Sequence, residues 1–297
     1  MKHLAVIALG LILSSCGAKN SVNSIFAETG IMGGKKVEEK SLYSQTVVAI
    51  IDTEYNSICT GSILSENLIL TAAHCVDDVE HFNLHIVFAT NADEVMGSRE
   101  PDIKAQFTRR VTKMIVHEDY NPEEQTDENP YDFSDIAILK IKGTIPEGFK
   151  PVNLVKNSFD LKRGMKTTLV GYGVNEVQTE PIDPKTVKNL REAMEYGEVI
   201  CDDNLQDCLK VDMFGDGVLR VGNAPIEGFS KSEVRLDERD GGTCMGDSGG
   251  PAYIEKNNEL FLFGITSRGS ALCDAVGVYT SVPYHLKWIE KTINKLQ

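Results

Sequence analysis

The stretch GGTCMGDSGGPAY, residues 241–253, sets one serine, Ser248, among small residues, with an aspartate before it and a proline three places after. A serine hydroxyl is a weak nucleophile unless a positioned base takes its proton and a carboxylate orients that base. The close glycine spacing suits a stiff turn that fixes a nucleophile, and it also suits a glycine-rich surface loop. The choice rests on whether the chain supplies a histidine and an acid in suitable settings.

Six histidines compete for the role of base. His3 lies in the apolar N-terminal segment. His81 and His85, in HFNLHIVF, have the i, i+4 spacing of a metal pair, which requires a helix. There Phe82, Leu84, Ile86 and Phe88 alternate with polar positions, so a strand is predicted, with the two rings about 13 Å apart on a surface. His117 and His285 stand in loop or helix-start contexts. His74 is different: LILTAAHC carries it out of an apolar strand, through two alanines, to a position beside a cysteine. For the acid, SDIAILKI offers Asp135 at the entry to a hydrophobic strand that would bury it. A carboxylate there would accept the ring N–H of the base and stabilise the imidazolium formed during attack.

TAAHC, DIAIL and GDSGGP, in this order, resemble the trypsin/chymotrypsin-like serine endopeptidases. The resemblance extends over nearly all of residues 31–297 and includes IMGG near residue 31, VGYG in mid-chain, GITSRG, and the closing GVYTSVPYHLKWI. It implies an all-β fold of two six-stranded antiparallel Greek-key β-barrels with a C-terminal α-helix, the active site lying where the barrels meet. It also implies His74 as base, Asp135 as its orienter, Ser248 as nucleophile, and the N–H groups of Gly246 and Ser248 as the oxyanion hole. Each such donor is typically worth about 3 kcal/mol of transition-state stabilisation.

Members of that family are made as inactive precursors. A cut frees an Ile or Val amine that folds inward to pair with the aspartate before the serine, here Ile31 and Asp247. Gly30 precedes Ile31 where a lysine or arginine is usual, so the activating protease is not of the trypsin-like kind and is unknown. The pocket-base residue of the family corresponds to Gly242, with Thr243, Met245, Ser267, Arg268, Gly269 and Gly277 around the pocket. An uncharged, roomy pocket implies a preference for large apolar residues on the acyl side of the scissile bond. Arg268 stands where a tryptophan is usual and is expected to recruit acidic residues further along the substrate. The alternative is a preference for Lys or Arg, should Asp274 swing to the pocket base. The resemblance further implies Cys59–Cys75 and Cys244–Cys273 disulfides, which leaves Cys201 and Cys208 as a local staple.

Two rival readings differ in class. GDSGG also satisfies G-x-S-x-G, the nucleophile elbow of α/β-hydrolases, with Asp274 and His285 downstream as acid and base. An elbow serine must begin a helix, however, and Gly249, Gly250 and Pro251 suit an extended turn instead. A non-catalytic binding protein that keeps the barrels is the other rival. Such proteins usually lose a triad member, and none is missing here.

The elements that must position these residues follow from the apolar pattern. From Ile31 onward, runs such as TVVAII, GSILSENLILTAA, HIVFAT, TRRVTKMIVH, DIAILKI, TTLVGYG, VLRVGN, FLFGITS and GVYTSV alternate with turn residues, which predicts many short strands. The boundaries read as an N-terminal barrel over 31–150 and a C-terminal barrel plus helix over 151–297. Leu286, Ile289, Ile293 and Leu296 fall at helical spacing, predicting a terminal amphipathic helix. Two polar insertions, 118–132 and 175–185, read as surface loops.

The totals restrict the partners. Acidic residues outnumber basic ones by 44 to 30, a net charge of −14. That sign repels phosphate backbones, so nucleic acid is excluded as a partner. Protein or peptide substrates, a monomer, no cofactor and no metal are expected.

Residues 1–15 read as an export signal: Lys2 supplies a positive flank, and Leu4 to Leu13 are apolar apart from Gly10, too short a run to span a bilayer. LSSC resembles the lipobox of bacterial lipoproteins, which would leave a lipid on Cys16 as the new N-terminus. Residue 17 is glycine rather than aspartate, which in that pattern points to the outer membrane. Residues 16–30 then form a tethered leader, the precursor being an outer-membrane lipoprotein or lying in the periplasm or at the cell surface, and cleavage at Gly30–Ile31 would also release the protein from its membrane. Besides Cys16 the chain holds six cysteines, an even number in an oxidising compartment, and by themselves they permit 15 pairings.

Overall fold

Several strands formed by the first half of the chain are apolar on both faces, and the structure shows why. The computed structural model describes residues 31–122 and 133–297; the export signal, Cys16, Gly30 and much of the 118–132 insertion lie outside the described residues. After a two-residue strand β1 (Lys35–Lys36) come β2 (Val47–Asp52), β3 (Ser57–Ser65), β4 (Leu68–Thr71), β5 (Leu84–Val87), β6 (Thr108–Val116) and β7 (Ala137–Ile141). Strands β2 to β7 close into an antiparallel barrel in the order β2-β3-β4-β7-β6-β5. One face of each strand, with Val48, Ile50, Ile69, Ile86 and Leu139, fills the barrel. The other face, with Val47, Ala49, Leu68, Leu70 and Ile138, packs outward against the second barrel.

The second half supplies β8 (Asn153–Leu154), β9 (Lys166–Gly171), β10 (Glu176–Ile182), β11 (Val199–Cys201), β12 (Cys208–Phe214), β13 (Arg220–Phe229), β14 (Glu233–Asp237), β15 (Pro251–Lys256), β16 (Glu259–Arg268) and β17 (Val276–Ser281). The path β13-β14-β17-β16-β15-β9 closes on itself because β9 also pairs with β13. Leu169, Ile226, Leu236, Phe263 and Tyr279 fill its interior. Two six-stranded antiparallel barrels, as expected, therefore share an apolar seam of Leu70, Ile138, Val170, Tyr172, Tyr253 and Ile265. Fully burying an aliphatic or aromatic side chain of this size contributes roughly 1.5–3 kcal/mol, so the seam binds the barrels firmly.

Both ends of the described chain cross the seam. Strand β1 pairs with β13 of the second barrel. The terminal helix α4 (Val282–Leu296), with Pro283 in its first turn where a missing N–H costs nothing, reaches back to the first barrel. Its Trp288 Nε1 donates to Glu118 at 2.8 Å, and Lys140 Nζ donates to the Leu296 carbonyl. The helix was legible, but its buried stripe runs through His285, Trp288, Ile289, Thr292 and Leu296, leaving Leu286 and Ile293 only half-buried.

Two local expectations are corrected. HFNLHIVF is not one strand: His81–Asn83 form a single 3-10 turn with Phe82 exposed, and β5 begins at Leu84. Segment 175–185 is not a loop, since β10 pairs with β12 along its whole length, in a three-stranded sheet with β11. Three short helices also interrupt the strands, α1 (Ala92–Gly97), α2 (Pro101–Phe107) and α3 (Leu190–Glu195). Six or seven residues are too few to show a helical period in sequence.

Disulfides join Cys59–Cys75, Cys201–Cys208 and Cys244–Cys273 at sequence separations of 16, 7 and 29. A bridge restrains the unfolded chain more when it closes a longer loop, and typical contributions are roughly 2–4 kcal/mol. Replacing Cys201 and Cys208 together by serine should therefore lower the melting temperature less than the same change at Cys244 and Cys273. Calorimetry of the two variants checks the order.

Candidate active site

Ser248 sits on the loop between β14 and β15, and that loop is fastened to both barrels. Thr60, on β3 of the first barrel, does most of the fastening: its Oγ1 donates to the Gly246 carbonyl at 2.9 Å and its N–H to the Ser248 carbonyl at 2.8 Å. On the other side, Gly249 N–H donates to the Thr266 carbonyl of β16 at 2.8 Å. Gly249 lies directly against the segment leading to His74, where an added Cβ would fall 2.0 Å from Thr71 Oγ1 and 2.9 Å from Ala72 N. Gly246 has φ +94°, a conformation that side chains rarely adopt, and an added Cβ would press on Gly173 and Ile58 at 3.0 Å. The glycines of GDSGG are thus required by close approach, which separates this stretch from an ordinary flexible loop. Sequence reasoning missed Thr60, because a threonine within a strand carries no sign of a partner so far along the chain.

His74 and Asp135 meet across the top of the first barrel. Nδ1 of His74 lies 2.8 Å from Asp135 Oδ2, and the His74 backbone N–H donates to Oδ1 at 3.0 Å. Ser267 Oγ adds a further hydrogen bond to Oδ2 at 2.6 Å, and Thr280 Oγ1 holds the Asp135 carbonyl at 2.8 Å. Asp135 is 2% exposed. Burial alone would push its carboxyl up, but the His74 charge and the hydrogen bonds from His74 and Ser267 outweigh it, so it is held below the ordinary aspartate range. Burial works equally against a charged imidazole at His74; the Asp135 charge and hydrogen bond overcome it, and the His74 pKa is raised above 6.5. With Nδ1 turned to Asp135, Nε2 is the ring nitrogen left for other contacts, and it lies 3.9 Å from Cys75 Sγ. No hydrogen bond closes between Nε2 and Ser248 Oγ in this structure. Such contacts are commonly loose without substrate and tighten in the complex.

Asp247 is fully buried beneath the loop. Its carboxylate accepts from Gly173 N at 2.7 Å and Cys244 N at 2.9 Å, in a space left by Gly171 and Gly173 of the VGYG stretch. Burial pushes its pKa up to about 7 despite those bonds. The Ile31 side chain is buried in the core of the second barrel, and Met32 N–H donates to the Gly242 carbonyl at 2.9 Å.

Other candidate residues divide. Met245 and Gly269 are exposed at the rim, and Gly242 and Gly277 are buried. Arg268 does not reach out for acidic substrate residues as expected. Its guanidinium pairs with buried Glu233 at 2.8 and 3.0 Å and lies 4.7 Å from the Phe133 ring centroid. Asp274 is exposed and exchanges hydrogen bonds with Ser270 at 2.9 and 3.0 Å, rather than turning toward Gly242. Glu238, unmarked in the sequence reading, is buried against Gly242 and Gly277. His285 bonds Ser134 and the Ser281 carbonyl on α4, and the all-β architecture removes the α/β-hydrolase reading. Cys59, His74 and Cys75 cluster as metal ligands do, but both sulfurs belong to one disulfide and have no thiolate to offer.

The chain is similar to three peptidases along most of its length. It is 30% identical over 280 residues to kallikrein 1-related peptidase b5 of Mus musculus, covering 90% of this chain and 91% of the mouse protein. It is 24% identical over 310 residues to serine protease 28 of Mus musculus, covering 99% of this chain and all of that protein. Testisin of Homo sapiens is 26% identical over 267 residues, covering 88% of this chain and 77% of testisin. The family described as trypsin matches residues 31–289. With the fold, the fastened serine loop and the histidine–aspartate pair in place, these matches show that the chain belongs to the trypsin family and is a trypsin-like serine endopeptidase.

Proposed function

We propose that Ser248, His74 and Asp135 carry out peptide hydrolysis through an acyl-enzyme. The observation that carries this reading is the buried Asp135 carboxylate set against His74 Nδ1 at 2.8 Å, which leaves Nε2 as the basic atom of the ring. Ser248 Oγ attacks the scissile carbonyl while Nε2 takes its proton. The developing oxyanion is received by the N–H groups of Gly246 and Ser248. The imidazolium, stabilised by Asp135, then gives its proton to the leaving amine. A water activated by the same nitrogen releases the acyl group and restores the serine.

The precursor scheme belongs to the same proposal. Cleavage at Gly30–Ile31 by an unknown protease would free a cationic amine on Ile31 for Asp247. The burial of Ile31, the Met32–Gly242 bond and the buried Asp247 carboxyl, raised to about 7 chiefly by burial, all support that pairing. Asp247 is linked through Cys244 to the wall that carries Gly246, so its ionisation state bears on the oxyanion donors. Upstream, an export signal and a lipid on Cys16 would tether the precursor at a membrane, and the same cut would free the active, monomeric enzyme. Among the described residues no helix is long and apolar enough to cross a membrane. On the acyl side of the bond, Gly242 alone favours large apolar residues, but Glu238 beside it changes the chemistry of that pocket.

Replacing Ser248 by alanine should lower kcat on the order of 10⁶-fold with an unchanged melting temperature. Asp135→Asn should cost about 10⁴-fold and move the acid limb of the kcat/KM profile to lower pH, because Asp135 is what raises the His74 pKa. Steady-state kinetics against pH checks both. Asp247 has a folded pKa raised from 3.8 to about 7, so the uncut protein loses stability as pH rises through that window. Cleavage at Gly30–Ile31 should therefore raise the melting temperature more at about pH 8, with a terminal amine still largely protonated on pairing, than at about pH 5. Equal shifts at both would remove Asp247 from the scheme.

A further inference from the structure

Glu238 is a buried carboxylate that the peptidase reaction does not use. Along β14 and just beyond it, Val234, Leu236 and Glu238 turn inward while Arg235 and Asp237 remain half-exposed. The Glu238 N–H donates to the Ala275 carbonyl at 3.0 Å, which continues the pairing with the strand that carries Gly277. A Cβ added at Gly242 would fall 2.3 Å from Glu238 Cβ and 2.5 Å from its Cγ and Cδ. A Cβ added at Gly277 would meet Cδ and Oε1 at 2.5 Å and Oε2 at 2.6 Å. The Glu238 side chain thus occupies the space into which residues 242 and 277, which the family resemblance makes the base and wall of the pocket, would project their own.

Its hydrogen bonds hold it there. Oε2 accepts from both Thr243 N and Thr243 Oγ1 at 3.0 Å, and Oε1 accepts from the Tyr279 hydroxyl. Among the described residues no lysine or arginine makes an ion pair with it, although a buried carboxylate is costly without a cation. We propose that Glu238 is the specificity-determining residue of this peptidase, delivering from β14 the negative charge that Gly242 lacks and selecting lysine or arginine on the acyl side of the scissile bond. This rests on the peptidase reading above. It replaces both the apolar preference drawn from Gly242 and the alternative routed through Asp274.

Such a pocket is sensitive to pH. Burial pushes the Glu238 carboxyl up to about 7, against the hydrogen bonds from Tyr279 and Thr243. Tyr279 faces it from β17, Thr243 from the serine loop, and Asp247 lies near enough for the Glu238 charge to raise its pKa further. Below that range the pocket base is a neutral acid, and above it a carboxylate. The ratio of kcat/KM for a lysyl over a leucyl peptide therefore climbs as pH rises through neutrality. Titration of His74 acts on both substrates and cancels in the ratio.

The test compares those two peptides on the protein trimmed to Ile31, in the parent and in Glu238→Gln, at about pH 8, with active sites counted by a covalent serine probe. Glu238→Gln should lower the lysyl-to-leucyl ratio about 100-fold, as expected for a cation that loses its buried partner. An unchanged ratio, or a parent that favours leucyl peptides, overturns the proposal. Should the variant fail to fold, calorimetric binding of an aryl amidinium and of the matching neutral carboxamide to the parent decides without turnover. Tighter amidinium binding that strengthens with pH supports Glu238, and equal affinities overturn it. A parent that binds the amidinium but is never labelled by the probe would refute the peptidase reading and leave the pocket assignment standing.

Discussion

The active site depends on one carboxylate kept charged in the protein interior. Isolating an aspartate from water costs several kcal/mol unless hydrogen bonds and an opposite charge compensate. At Asp135 the compensation comes from both barrels: the His74 backbone and ring from the first, the Ser267 hydroxyl from the second. The charge can exist only where the barrels meet. The same contacts fix which nitrogen of His74 is left to act as a base, so the chemistry and the barrel docking have a common cause.

Thr60 ties the nucleophile to that junction. Its hydroxyl and amide grip Gly246 and Ser248 from the first barrel, and Tyr172 N–H of the second barrel donates back to the same hydroxyl at 3.1 Å. The loop that presents Ser248 belongs to the second barrel by sequence, yet its height above the cleft is set by the first. Beneath it lie two more buried carboxylates, Asp247 and Glu238, each raised to about 7 mainly by burial. An interior with three such groups is stable only if each finds hydrogen bonds or a cation, and the cations proposed here come from a cut chain end and from the substrate.

How much of this was legible in the sequence follows from how local each signal is. Ser248, His74 and Asp135 stand in short contiguous settings, a glycine turn, a strand exit and a strand entry, that declare themselves without tertiary knowledge. Glu238 sits in DERDGG, which reads as a charged surface turn, and Arg239 and Asp240 are indeed exposed. Only the period-two continuation of Val234 and Leu236 points Glu238 inward, and a charged residue is discounted when such a pattern is read for apolar positions. Strand β10 has no buried residue and no apolar run to mark it, and it owes its order to pairing with β12. The terminal helix was found, but its contact stripe is shifted because Trp288 and His285 pack on the Glu118 and Ser134 region of the other barrel, which no helical spacing reveals.

Histidine-labelled NMR on the protein trimmed to Ile31, followed from acid to neutral pH, tests the central claim most directly. His74 should keep its Nδ1 proton toward Asp135 throughout, while Nε2 titrates with a midpoint above 6.5. A neutral ring carrying its proton on Nε2, or a midpoint below 6.5, would contradict it.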